Sequence, residues 1–322
     1  MTHVPIVAIS NNKLAFALAT LFTQLLQTKK PDTFYELNAL VTPDFLPSHI
    51  DKITSLAQQF AHHCHLNIVK MTDDLPQFAN HSDHVPDMAT YKFYLAEKFP
   101  QYQKIIYLDT DLVIFQDLTP LYQTDLNQKY LGGVQSLAFY LNSRHLAAQL
   151  GINHLANYIN SGVLLMDLAA IRHHQLEHQC RQLVGSFPDT VDQHIINKDY
   201  HQHIQLLSPQ WNVFNFQQHL YQSDLALIGM TPAQQSAVLH QPAIFHYTGC
   251  PKPWQYYNLQ FGLIWYRAYL ASPYGSEPLA LEFCADAAGQ GKPTNWFTKI
   301  YYRCRAQLAL KKRWRQIFGA QH

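Results

Sequence analysis

KIIYLDTDLVIF, residues 104–115, is the most apolar and β-prone run in the chain, and two carboxylates, Asp109 and Asp111, stand in the middle of it. A carboxylate buried without a partner is costly, so it neutralises or finds a cation. The run reads as a buried strand that ends in Asp-Thr-Asp. Around it, strand and helix patterns alternate. Short apolar runs predict strands at residues 6–9, 35–41, 67–71, 131–136 and 162–166. Helical spacing predicts helices from Lys13 onward and over residues 47–63, 90–98 and 174–183. Pro5 stands ahead of the first strand, a place where proline is tolerated, and Asn11 and Asn12 supply turn and cap chemistry for the first helix. This alternation predicts a doubly wound α/β domain. In such sheets ligands collect beyond the carboxyl ends of the strands, which is where Asp109 and Asp111 fall.

The 322 residues suffice for one large domain or a domain with an appendage. Charged residues are only 14%, against about 25% in ordinary soluble domains, and polarity comes instead from Gln, Asn and 19 His. A net charge of +1 makes no case for nucleic-acid binding. The five Cys are scattered and include no C-x-x-C pair, which argues against a disulfide framework or a structural zinc site and fits a reducing compartment. HHCH at residues 62–65 has no metal-ligand spacing and reads as a surface helix end. LAFALATLFTQLL at residues 14–26 lacks a basic leader and is shorter than a membrane span, so a buried first helix is expected and no transmembrane segment.

No acidic residue follows Asp286, while Lys292, Lys299, Arg303, Arg305, Lys311, Lys312, Arg313 and Arg315 alternate with aromatics such as Trp296, Tyr301, Tyr302 and Trp314. Such a segment reads as a membrane-surface anchor, the bland counterpart being a solvated terminal helix packed on the main domain. The expected division is a catalytic domain over residues 1–272 and a small, basic, helical segment over 273–322.

Asp-x-Asp by itself suits a hard divalent cation bridging carboxylates to phosphates, or equally a loop cap made by hydrogen bonds to backbone N–H groups. FHYTGCPKPW, residues 245–254, tilts the balance. His246 offers a nitrogen ligand, which favours Mn²⁺ over Mg²⁺; Gly249 permits close backbone approach; Lys252 is a compact cation suited to a phosphate.

Four segments in order, YKFYLAEKFPQYQKIIYLDTDLVIFQDLTPLY at 91–122, YINSGVLLMDL at 158–168, DQHIIN at 192–197 and FHYTGCPKPW, resemble glycosyltransferase family 8. These are retaining nucleotide-sugar transferases that include glycogenin and the bacterial lipooligosaccharide galactosyltransferases. The resemblance implies a GT-A-type fold with a mixed, mostly parallel central sheet. It implies that Asp109, Asp111 and His246 hold Mn²⁺, with Mg²⁺ as the other candidate, on the diphosphate of a UDP-sugar. It further implies that Gly249 and Lys252 hold phosphates and that Asn160, Asp192 and Gln193 line the donor-sugar pocket, Gln193 beside the anomeric carbon. Asn11, Lys13, Lys92 and Thr110 complete the expected donor site. The acceptor implied is a saccharide, lipooligosaccharide or another cell-surface glycan. With the basic tail, the expected location is the cytoplasmic face of a membrane.

Two segments depart from the family pattern. SNNKL at residues 10–14 stands where an acidic, Tyr-containing stretch is usual, and Lys92 stands in place of Arg. Two rival readings follow. LDTDLV also fits the opening of the haloacid-dehalogenase phosphatases, but no adjacent acidic pair follows downstream. A catalytically silent glycan- or nucleotide-binding protein is the other, motivated by the altered SNNKL segment.

Overall fold

The computed structural model describes residues 1–72, 87–136, 144–153, 155–184, 192–214, 225–226, 230–249 and 251–282. The basic aromatic tail, including Cys284 and Cys304, and also Cys250, lie outside the described residues.

Among the described residues ten strands form two sheets: β1 Thr2–Ser10, β2 Thr33–Val41, β3 Cys64–Lys70, β4 Lys104–Leu108, β5 Leu112–Ile114, β6 Leu131–Gln135, β7 Ile159–Asp167, β8 Ile204–Leu206, β9 Val213–Phe214 and β10 Ile244–His246. The large sheet has the order β3-β2-β1-β4-β7-β6-β8, and the small one β5-β10-β9. In the large sheet β3, β2, β1 and β4 run parallel, β7 is antiparallel to both neighbours, and β8 is parallel to β6. The helices used below are α1 Ala15–Thr28, α2 Pro47–Gln59, α3 Leu95–Lys98, α4 Leu176–Leu183, α5 Asp192–Asp199 and α6 Gly262–Ala271. The sheet is therefore mixed and mostly parallel, with helices against it, as expected.

The opening run is not one strand. Residues 104–108 pair with β1 and β7 in the large sheet, while 112–114 pair with β10 in the small one. The Asp-Thr-Asp turn is the junction between the sheets. The core is divided accordingly: alternate residues of β4 point to opposite faces, so Ile106 and Leu108 join the α1 side and Ile105 and Tyr107 the α3–α5 side.

Several boundaries differ from the sequence reading. Pro5 is inside β1. Thr2 N–H bonds Asp32 and Ser10 C=O accepts from Thr42, so even positions of β1 face β2 and the Pro5 nitrogen faces the β4 side. Pairing with β4 begins only at Ile6, so no ladder bond is lost there. The second helix stops at Gln59, and Cys64 and His65 open β3 opposite Tyr35 and Glu36, so HHCH is a turn entering a strand. Only Leu95–Lys98 of the expected 90–98 helix is α-helical; Asp87–Tyr94 is 3₁₀. Here a tertiary partner overrides local propensity: the Glu177 carboxylate accepts from the N–H groups of Ala96 (2.6 Å) and Glu97 (3.1 Å) and caps a fresh turn. The 174–183 helix begins two residues late because Gln175 takes a left-handed φ of 55°.

Residues 273–282, the start of the expected appendage, pack on the catalytic unit. Tyr274 is buried, Leu279 packs against the core, and Glu277 pairs with Lys52 of α2.

Candidate active site

The carboxyl end of β4 positions the first acid. Asp109 N–H bonds Gly162 C=O at 2.8 Å, extending the β4–β7 ladder by one rung. Its side chain leaves the sheet edge on the same side as Tyr107, two residues back, whose hydroxyl donates to Asp109 Oδ1 at 2.6 Å. The second acid is set by the small sheet. His246 pairs with Leu112, and Tyr247 N–H bonds Asp111 C=O at 3.0 Å, so the antiparallel register of β5 and β10 brings the imidazole against Asp111.

Asp109, Asp111 and His246 thereby offer three ligand atoms within 4.8 Å of one another. His246 Nε2 lies 3.2 Å from Asp111 Oδ1 and 3.8 Å from Asp109 Oδ2. Gly162 forms the floor: a Cβ there would sit 2.2 Å from His246 Cε1 and 2.7 Å from Asp109 Oδ2, so only glycine lets ring and carboxylate meet. Two findings test the fit to a divalent cation. Two carboxylate oxygens and one imidazole nitrogen are a donor set suited to a divalent metal ion. Asp111 Oδ1 is buried without a hydrogen-bond donor, leaving a lone pair directed into the cluster. The residues fit the ion.

Two lysines answer the charge of the opening run. Lys252 donates to Asp111 Oδ2 and to Tyr247 C=O. Burial alone raises the Asp111 pKa, but the Lys252 ammonium leads the opposing pull, joined by His246 whenever that ring is protonated, and the carboxyl lies well below its ordinary range. Lys252 reaches back from a loop opened by Gly249, whose φ of +65° is what glycine supplies there; the space around its Cα is open. Lys92 is the buried counterpart. It donates to Asp192 Oδ2 (2.6 Å) and Ser161 C=O (3.1 Å), lies 3.3 Å from Asp109 Oδ1, and stands over the Tyr107 ring at 4.7 Å. Burial lowers its pKa most, yet Asp109 and Asp192 together raise it above the ordinary value, so Lys92 is a fixed cation.

The donor-pocket residues expected from the sequence are also together. Asp192 and Gln193 open α5, and Ser161 Oγ donates to Asp192 Oδ2 at 2.9 Å. Gln193 Oε1 accepts from Asn160 Nδ2 (3.0 Å) and Ser161 N–H (3.3 Å), and its Nε2 donates to Tyr158 Oη (3.2 Å). Thr110 is buried in the inter-sheet turn. Asn11 and Lys13 stand apart from this cluster's bonds. Asn11 caps the turn before α1 through Leu14 N–H at 3.1 Å, and Lys13 is exposed. They share the cluster's edge of the sheet, because β1 runs parallel beside β4.

Tyr107, Ser161, Gly162 and Asn212 were not singled out in the sequence. Tyr107 was within reach, since a period of two puts it on the face of Asp109. Ser161 and Gly162 lie inside a quoted motif. Asn212 carries no local signal, as its partners come from β7 and β10.

The family model for glycosyl transferase family 8 matches residues 5–258 of this chain. The chain belongs to glycosyl transferase family 8. Among its relatives, General stress protein A of Bacillus subtilis (strain 168) is 20% identical over 59% of this chain and 66% of its own length. Glycosyltransferase GlyF of Streptococcus pneumoniae serotype 4 is 21% identical over 79% of this chain and 58% of its own. The chain thus spans less than two thirds of the length of these curated relatives. The crystal structure of galactosyltransferase LgtC in complex with donor and acceptor sugar analogs superposes with a TM-score of 0.70 at 20% identity, covering 84% of this chain and 96% of that one, which shows a common fold. The family 8 fold here includes no helix, among the described residues, long and apolar enough to cross a membrane.

Proposed function

We propose that this chain transfers a hexosyl group, galactosyl or glucosyl, from a UDP-sugar to a saccharide acceptor, with Mn²⁺ as the working ion and retention of anomeric configuration. The observation that carries this reading is the convergence of Asp109, Asp111 and His246 beside Lys252 at the sheet's carboxyl edge. A divalent ion bound there supplies charge stabilisation to the diphosphate leaving group.

The chain's own groups account for the rest. Lys252, on its Gly249 loop, turns from Asp111 toward a phosphate oxygen and adds a second positive charge where negative charge develops. Asn11 and Lys13, at the end of β1, face the nucleotide. Asp192 is held by Lys92 and Ser161 through the same oxygen, which weakens it as a nucleophile. Gln193 is an amide bonded on both sides, and amides are poor nucleophiles. These facts favour same-face substitution over a covalent glycosyl-enzyme. The bond from the anomeric carbon to the phosphate oxygen breaks, the acceptor oxygen bonds that carbon on the same face, and the acceptor's hydroxyl proton passes to the departing phosphate oxygen. The decisive assay is Mn²⁺-dependent UDP release with UDP-galactose and UDP-glucose in the presence of saccharide acceptors. Silence across a panel of donors would favour the binding-protein reading instead.

The acceptor we infer is lipid-linked, and the membrane-associating part of the expected 273–322 segment is the stretch beyond residue 282, since residues 273–282 pack on the catalytic unit. The support is the run of Lys and Arg among aromatics after Asp286. Removing the chain beyond Pro278 is expected to release the protein from anionic vesicles in a sedimentation assay; undiminished binding dismisses the anchor.

A further inference from the structure

We propose that Asn212 is a positioning residue that sets the tautomer of His246 and ties this ring to the Asn160–Gln193 side of the pocket. The inference rests on the reading that Asp109, Asp111 and His246 hold a divalent cation, and it adds a residue outside all four sequence motifs.

Asn212 is fully buried in the bend between the 3₁₀ turn Pro209–Trp211 and β9. Parallel pairing of β9 with β10 sets Phe214 beside His246, and Asn212, two residues earlier, falls on the same side. Its side-chain oxygen lies 3.0 Å from His246 Nδ1, and its nitrogen 2.9 Å from Asn160 Oδ1.

Amide orientations and imidazole protons are ordinarily assigned from the hydrogen-bond network. Here backbone groups decide them. Gly162 N–H can only donate, and it bonds the Asn160 side chain at 2.9 Å, so that atom is the carbonyl oxygen. Asn212 must then present its NH₂ to Asn160. Its remaining atom, the oxygen, faces Nδ1, so Nδ1 carries the proton. The far end agrees: Ser161 N–H donates to Gln193 Oε1, which requires the Asn160 NH₂ there. The neutral His246 ring therefore keeps its lone pair on Nε2, toward Asp111 Oδ1 and Asp109 Oδ2, which is the tautomer a metal ligand needs. One buried amide thus orients the ring with its oxygen and Asn160 with its nitrogen.

Two measurements test this in the full chain. The first is ¹⁵N NMR of the His246 ring in metal-free protein at pH 8, where Nδ1–H is expected; an Nε2–H ring overturns the proposal without any variant having to fold. The second is Mn²⁺ affinity by EPR titration without nucleotide. Asn212→Ala is expected to weaken Mn²⁺ by about 10–100-fold, the range for lost partners of ligating histidines, and to add no loss when combined with His246→Ala. Asn212→Asp keeps an acceptor for Nδ1–H but not the donor to Asn160, so Mn²⁺ affinity survives while KM for the sugar donor rises. Unchanged affinity in Asn212→Ala, or an equal loss in the His246→Ala background, overturns the proposal. Wild-type protein that binds no Mn²⁺ sinks the functional reading instead, and the ring's NMR signature still decides the tautomer.

Discussion

Lys92 and Lys252 each neutralise an aspartate of the site, in opposite settings. Lys92 is nearly inaccessible, with its side chain 4% exposed, and Asp192, Asp109 and Ser161 surround it. Lys252 is 21% exposed and sits on a Gly/Pro loop, with Asp111 and Tyr247 as partners. The first belongs to the large sheet's side of the site and the second to the small sheet's side. The Asp-Thr-Asp turn joins the two. One lysine is enclosed by its partners; the other is the one that, in the proposed reaction, exchanges a carboxylate for a phosphate. A third carboxyl completes the contrast. Glu177 is buried with two backbone N–H donors, and the nearby Arg181 donates to Phe93 C=O.

The sharpest break of this comparison is Asp111→Asn, which removes the charge both Lys252 and the ion require. Turnover is expected to fall at least about 10²–10³-fold with the circular dichroism spectrum unchanged. Retained turnover would refute the site. Next, Lys92→Met leaves Asp192 and Asp109 without their cation and is expected to destabilise the fold by about 3–5 kcal/mol in urea unfolding. A loss under about 1 kcal/mol would mean that Lys92 is no more structural than Lys252. The matching Lys252→Met is expected to cost about 10²-fold in kcat/KM while stability moves by less than about 1 kcal/mol, because the loop and Asp111 remain solvent-accessible in part. The two variants should therefore trade places between a stability assay and an activity assay.

The smallest effect concerns Glu177. Burial raises its pKa to about 7, against the lowering pull of the Ala96 and Glu97 N–H groups and Arg181. A folded pKa above the unfolded one means that the native state binds more protons between these values, so stability falls as pH rises through about 4.5 to 7. Between pH 5.5 and 8 this single group should remove about 2 kcal/mol. Glu177→Gln should flatten that part of the stability–pH curve, and an unchanged slope would assign it to other groups.

How far the site was legible depended on whether each residue's role is local. The Asp-x-Asp turn, the His246 loop and the Asp192–Gln193 helix start carry their chemistry in short strings, and those residues do meet. Asn11 and Lys13 were expected in the donor site from the SNNKL string; the structure shows a cap and an exposed amine at the same edge of the sheet. Helix limits went astray at residues 90–98 because Glu177, 80 residues away, captures the backbone that a continuous helix would have used.

Short apolar runs, helical spacing and the order of four motifs, all local properties of the string, determined the α/β class, the family and the identity of the three ligand candidates. The tertiary structure decided that the opening run divides between two sheets, that Lys92 meets Asp192 across 100 residues and Lys252 meets Asp111 across 141, and that Asn212 faces His246. Strand pairing is the physical reason. Register between distant segments sets which side chains share an edge, and no local pattern encodes which distant strand will be the partner.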